Sequence, residues 1–106
     1  MRPEDRIDRW IDDLTEALDL ADELVARGRD AYDADPAMSL AFQTLAIRVG
    51  EIAKRLVAAD PERFSSPEWS LAARQRDFVV HHYHRIDDDA LWDTVSDHLP
   101  KLRERL

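Results

Sequence analysis

Residues 36–56 read PAMSLAFQTLAIRVGEIAKRL, and this stretch decides the fold. Met38, Phe42, Leu45, Val49, Ile52 and Leu56 alternate steps of four and three. That spacing places side chains on one helix face and is the seam that left-handed bundle packing prefers. Gly50 sits in the middle of the same run. A glycine inside a helix costs roughly 1 kcal/mol relative to alanine, so it needs a reason, and close helix packing is the simplest. Glu51 beside it has two readings: a residue that is solvated or paired with a base, or a carboxylate that comes near a later helix and orients Arg76 there.

Working outward, two glycines and five prolines divide the chain into four helical segments. The first carries Ile7, Trp10, Ile11, Leu14, Leu18, Leu24 and Val25 at mostly three- and four-residue steps, and Gly28 is placed to end it. Ser66 and Pro67 fit the cap and first position of a third helix running to about His82. Ile86-Asp87-Asp88-Asp89 breaks that helix and caps a fourth, whose apolar face holds Leu91, Val95, Leu99, Leu102 and Leu106. Pro100 is expected to kink the fourth helix or divide it at Leu99. Sustained period-two alternation is missing, so strands have no support. The expectation is an all-α chain, an antiparallel four-helix bundle formed by residues 1–106 as a single domain.

A chain of 106 residues with 44% apolar residues can fill one modest core. It contains no cysteine, which excludes disulfide and thiolate chemistry. The start lacks the pattern of a signal peptide and no stretch approaches membrane-spanning length, so a soluble, cytoplasmic protein without membrane attachment is expected. The net charge of −8 argues against non-specific binding to long nucleic-acid duplexes. The charge is uneven, however. From Arg74 to Arg85 there are three arginines and three histidines against one aspartate. A basic notch in an acidic exterior suits a small anionic target or one nucleic-acid segment.

That notch contains residues 76–83, Arg-Asp-Phe-Val-Val-His-His-Tyr. Arginine offers a bidentate fork to phosphate oxygens, and histidine titrates near neutral pH. On a helix, Asp77 and His81 share a face, but Arg76 and His81, five apart, diverge by about 140°. Either the helix distorts near its end, or two copies of the motif meet across a dimer. In a shared cleft Arg76 would stabilise a phosphorane-like transition state, and His81 would move a 2′-hydroxyl or leaving-group proton. Asp77 would orient the imidazole. Those roles suffice for RNA cleavage without a metal or other cofactor. The bland reading makes Asp77–His81 a surface pair and leaves Tyr83 covering the bundle edge. A metal site from His81, His82, His84 and Asp87 to Asp89 is disfavoured by untidy spacing. Trp92, one position off the main stripe, reads as core edge or interface and not as an RNA-stacking platform.

The ordered blocks resemble the HepT-like branch of the HEPN superfamily, small four-helix toxin ribonucleases. They are Val49-Gly50-Glu51-Ile52-Ala53-Lys54-Arg55-Leu56, similar to that family's Ile-Gly-Glu-Ala-Ala-Lys-Arg-Leu run, then Pro67 and Trp69, and Arg76 through Tyr83. Ile86-Asp87, Leu91-Trp92 and Leu99-Pro100-Lys101-Leu102 complete the set. The resemblance implies a homodimer with Arg76 and His81 as the catalytic pair, Asp77 in the polar position after the arginine, and RNA as substrate. It implies a type VII-like toxin–antitoxin pair, in which a minimal nucleotidyltransferase antitoxin transfers AMP to Tyr83.

Two positions depart from the family pattern. Asp77 stands where asparagine is usual, and Arg74 stands where a glycine usually precedes the arginine by two. An ionised carboxylate accepts but does not donate a hydrogen bond, and its charge partly neutralises Arg76. The alternative reading is therefore a non-catalytic HEPN dimer module that binds a nucleotidyltransferase partner or a nucleotide.

Overall fold

Helix α3, Pro36–Ala59, is the element around which the chain is arranged. In the computed structural model, which describes residues 2–106, it packs against α1 (Pro3–Val25) and α4 (Pro67–His82). It also touches a short helix α2 (Arg29–Ala34) and the final helical stretch, which begins as α5 (Asp88–Asp93). Among the described residues all regular structure is helical. The apolar stripe of α3 is buried from Met38 to Leu56. It meets Leu14 and Leu18 of α1, Trp69 of α4 and, from the last stretch, Val95, Leu99 and Leu102 in one core. Leu106, expected on the inward face, is exposed instead.

Local chemistry explains most boundaries. Asp35 accepts a hydrogen bond from the Ala37 N–H at 2.9 Å and starts α3 ahead of Pro36. Asp87 does the same for α5 through the Ala90 N–H at 3.1 Å, as expected of the aspartate run. Ser66 does precede the first residue of α4, but its hydroxyl donates to Glu68 and makes no cap bond to the backbone. Gly28, with φ of 91°, turns the chain after α1 in a conformation that favours glycine.

Two features differ from the four-helix expectation. First, α2 is a fifth helix of six residues, too short to show a hydrophobic period. Its buried Tyr32 donates to Asp88 at 2.6 Å. Its Arg29 pairs with Asp89 at 2.8 Å and lies over the rings of Tyr32 and Trp92. Trp92 also stacks on Phe42 at 5.6 Å, so it is an edge of the core. Second, Pro100 does not break the last helix. Residues Thr94–His98 form a π-helical turn, in which the Leu99 N–H reaches back five residues to Thr94 O, and Leu99–Arg105 continue as a 3-10 helix. The division expected at Leu99 is thus a change of winding, with the wide turn making room for the proline ring.

Gly50 lies in close contact with α4. A β-carbon added at residue 50 would collide with Arg76 Cβ and lie 2.7 Å from Ala72 O. Gly50→Ala is therefore expected to cost about 1 to 2 kcal/mol by chemical denaturation, because overpacking exceeds alanine's intrinsic helix gain. A gain in stability would show that the helices do not touch there.

The Tyr32 hydroxyl is pushed up to about 12 by burial and by its bond to Asp88. The folded chain keeps this proton while the unfolded chain loses it, so stability falls between about pH 10 and 12. Tyr32→Phe should cost about 1 kcal/mol at neutral pH and flatten that alkaline decline in pH-dependent unfolding curves.

Candidate functional site

Helix α4 remains α-helical through His82, so no distortion separates Arg76 from His81. Their side chains leave the helix about 140° apart. The distortion of α4 that would bring them together within one chain is absent.

Arg76 faces α3 because the absent side chain at Gly50 lets its own Cβ and Cγ pack there. The guanidinium donates from Nη2 to Glu51 Oε1 at 3.2 Å and from Nη1 to Asp77 Oδ1 at 3.0 Å. Its Nε is buried without a partner. Asp77 is the first cause, and Glu51 the second, of an upward shift in the Arg76 pKa. The arginine is thus a fixed cation with part of its fork toward solvent. Glu51 is thus paired with the motif arginine, a contact that both of its readings allow.

Asp77 departs from its expected role. Its Oδ1 lies 2.6 Å from Lys54 Nζ as well as 3.0 Å from Arg76. Two cations occupy the carboxylate, and it makes no hydrogen bond to His81 among the described residues. Sharing a helix face with His81 was not sufficient, because Lys54 and Arg76 already hold the carboxylate. His81 is exposed on the outer side of α4. Tyr83 begins a 3-10 turn, Tyr83–Arg85, and is 70% exposed with its ring edge against His84.

Sequence reasoning missed two features of this region. Lys54 lies inside the quoted 49–56 run, and only the pairing of α3 with α4 shows what it touches. Phe78 and His82, one turn apart, stack at 4.2 Å, and His82 Nδ1 lies 2.9 Å from Phe78 O. Phe78 is half exposed at the rim of a groove of about 350 Å³ between α4 and α5, lined also by Arg74, Val79, Ile86 and Leu91. Arg74, at the position of the family's glycine, thus edges this groove. Among the described residues the histidines and aspartates do not gather into a group of three or more metal-ligating side chains. No described helix is long and apolar enough to cross a membrane.

Residues 14–106 match the family described as Ribonuclease HepT-like. The chain belongs to the HepT-like ribonuclease family. It is 31% identical over 98 residues to "Probable ribonuclease HepT" of Thermococcus cleftensis, covering 89% of this chain and 86% of that one. It is 28% identical over 72 residues to "Putative RNase TTE0752" of Caldanaerobacter subterraneus, covering 68% and 64% respectively. A third relative is "Gamma-glutamylcyclotransferase and putative RNase MJ0434" of Methanocaldococcus jannaschii. It is 26% identical over 101 residues, 92% of this chain and 44% of the relative. The matches thus span less than two thirds of the latter two proteins. No solved structure matches the chain significantly.

The Asp77 carboxyl is held below its ordinary 3.8, by Lys54 first and Arg76 second. Because the folded-state value is lowered, the stabilisation is present at neutral pH and lost as pH falls through it. Carbon-13 carboxyl titration should place the Asp77 midpoint below 3.8, and Lys54→Met should raise it. A midpoint unmoved by Lys54→Met would mean that this ion pair does not form in solution.

Proposed function

We propose that this chain is a metal-independent endoribonuclease of the HEPN type, whose site is completed when two copies of α4 face each other. The observation that carries this reading is the division of labour on α4. Arg76 is clamped on the α3 side by Glu51 and Asp77, while His81 stands exposed on another face. A single copy offers a phosphate either the cation or the imidazole. An antiparallel four-helix core paired into a homodimer offers both.

In such a cleft the 2′-oxygen attacks phosphorus as one imidazole takes its proton. The bond to the 5′-oxygen breaks, and the second imidazole supplies that oxygen with a proton. The products are a 2′,3′-cyclic phosphate and a 5′-hydroxyl. Charge gathers on the non-bridging oxygens in between, where an arginine fork is worth most. The 70% exposed Tyr83 suits the further reading, in which a nucleotidyltransferase antitoxin transfers AMP to its hydroxyl. The added phosphate beside Arg76 would compete for the cation and fill the cleft.

Asp77 favours a second reading. A carboxylate 3.0 Å from Arg76 lowers the attraction of that arginine for phosphate, and a dimer that binds a nucleotidyltransferase without cutting RNA fits this as well.

Purified wild type should cleave single-stranded RNA in EDTA, and His81→Ala and Arg76→Ala should each lose about 10²- to 10⁴-fold in rate. Tyr83→Phe should retain cleavage and resist AMP transfer. Wild-type dimer that leaves RNA intact sinks the nuclease reading and leaves the binding module.

A further inference from the structure

Both cations near Asp77 approach the same oxygen. Lys54 Nζ is 2.6 Å from Oδ1, and Arg76 Nη1 is 3.0 Å from it. Glu51 takes the other terminal nitrogen of Arg76. The four side chains carry two positive and two negative charges, so the free site is electrically balanced. It is also open: their exposures run from 25% for Arg76 to 44% for Lys54. A balanced, solvent-accessible cluster can exchange partners without burying an unpaired charge.

That exchange matters because Asp77 is adjacent to the arginine that must meet a phosphate. If Asp77 had Arg76 as its sole partner, an incoming phosphodiester would have to displace the carboxylate and leave it unpaired. Lys54 removes that obstacle. It already holds the same oxygen, at the shorter distance, and can keep the carboxylate as Arg76 turns its Nη1 to the phosphate.

We propose that Lys54 is a positioning residue of the phosphate site, which holds Asp77 as its counterion and so frees Arg76 for an RNA phosphodiester. The proposal rests on the ribonuclease reading and adds a residue that acts through another. Lys54 and Asp77 work as a unit in this chain: the lysine offsets the carboxylate that stands where the family has asparagine. The consequence is coupling. Lys54 is needed in the presence of Asp77 and becomes dispensable once residue 77 is neutral.

The test is a double-mutant cycle with Lys54→Met, Asp77→Asn and the pair, in the full-length protein. It has two readouts: steady-state cleavage of single-stranded RNA, and equilibrium binding of a 2′-O-methyl oligoribonucleotide, which lacks the attacking hydroxyl. With Asp77 present, Lys54→Met should weaken binding and raise KM about tenfold, with a smaller change in kcat. In the Asp77→Asn background, the same change should cost about twofold or less. Asp77→Asn alone should tighten binding, because no carboxylate then competes with the phosphate for Arg76.

Equal losses in both backgrounds would overturn the proposal and make Lys54 a direct phosphate ligand. A lowered Tm with unchanged binding and KM would also overturn it, leaving an ordinary surface ion pair. If wild type binds the oligonucleotide but does not cleave RNA, the nuclease reading falls and the binding cycle alone decides the role of Lys54. If wild type does neither, both fall.

Discussion

Everything at the candidate site depends on a missing side chain. Gly50 allows α4 to approach α3 until Arg76 and the Ala72 carbonyl occupy the space that a β-carbon would fill. That contact fixes the register between the two helices, which share the largest interface in the molecule. Once residue 50 lies against residue 76, the next turn of α3 has little choice. Glu51 reaches the guanidinium, and Lys54 reaches the carboxylate beside it. The apolar stripe from Met38 to Leu56 supplies the burial that holds the approach together. The same few residues thus serve as a packing seam on one side and as a charge cluster on the other.

The charge balance of the molecule has a local counterpart. A protein with net charge −8 repels polyanions at long range, and its cations at residues 54 and 76 are already paired. On the ribonuclease reading, affinity for a phosphate would therefore come from rearrangement at short range. Such a site would discriminate by geometry: an anion would have to offer oxygens where a carboxylate now sits. This differs from nucleic-acid binding by an excess of lysine and arginine, in which counterion release dominates and discrimination is weak.

How much could be read from the chain itself follows the reach of the signal. Long helices with a repeated apolar face were legible: α1, α3 and α4 have the expected bounds within a few residues, because periodicity sums over many positions. The short helix α2 was not legible, because Tyr32 and Arg29 are held by Asp88 and Asp89. At the site, the α3 run and the motif of α4 were both visible, and Glu51 already had one reading that reached Arg76. The partner of Asp77 was misread for a physical reason. Helical spacing describes neighbours within one helix, whereas the carboxylate found a stronger cation on another. The change of winding around Pro100 belongs to an intermediate class: its place was evident from the ring, and its form depended on how the preceding turn could widen.

Helix α2 has a consequence for the order in which the chain folds. Six residues cannot sustain a helix in water alone; Phe42 packs on Tyr32 from nearby α3, but the hydrogen-bond partner Asp88 lies 56 residues further along. The segment therefore gains its full set of contacts when the start of the last helix, carrying Trp92, docks beside Tyr32 and Phe42. It behaves as a latch that closes late. The distance along the chain, and not the local propensity of residues 29–34, sets when it engages. A latch of this kind contributes little to the folding rate and chiefly slows unfolding. In this small helical protein, kinetic persistence is thus concentrated at the seam between the first connection and the last helix.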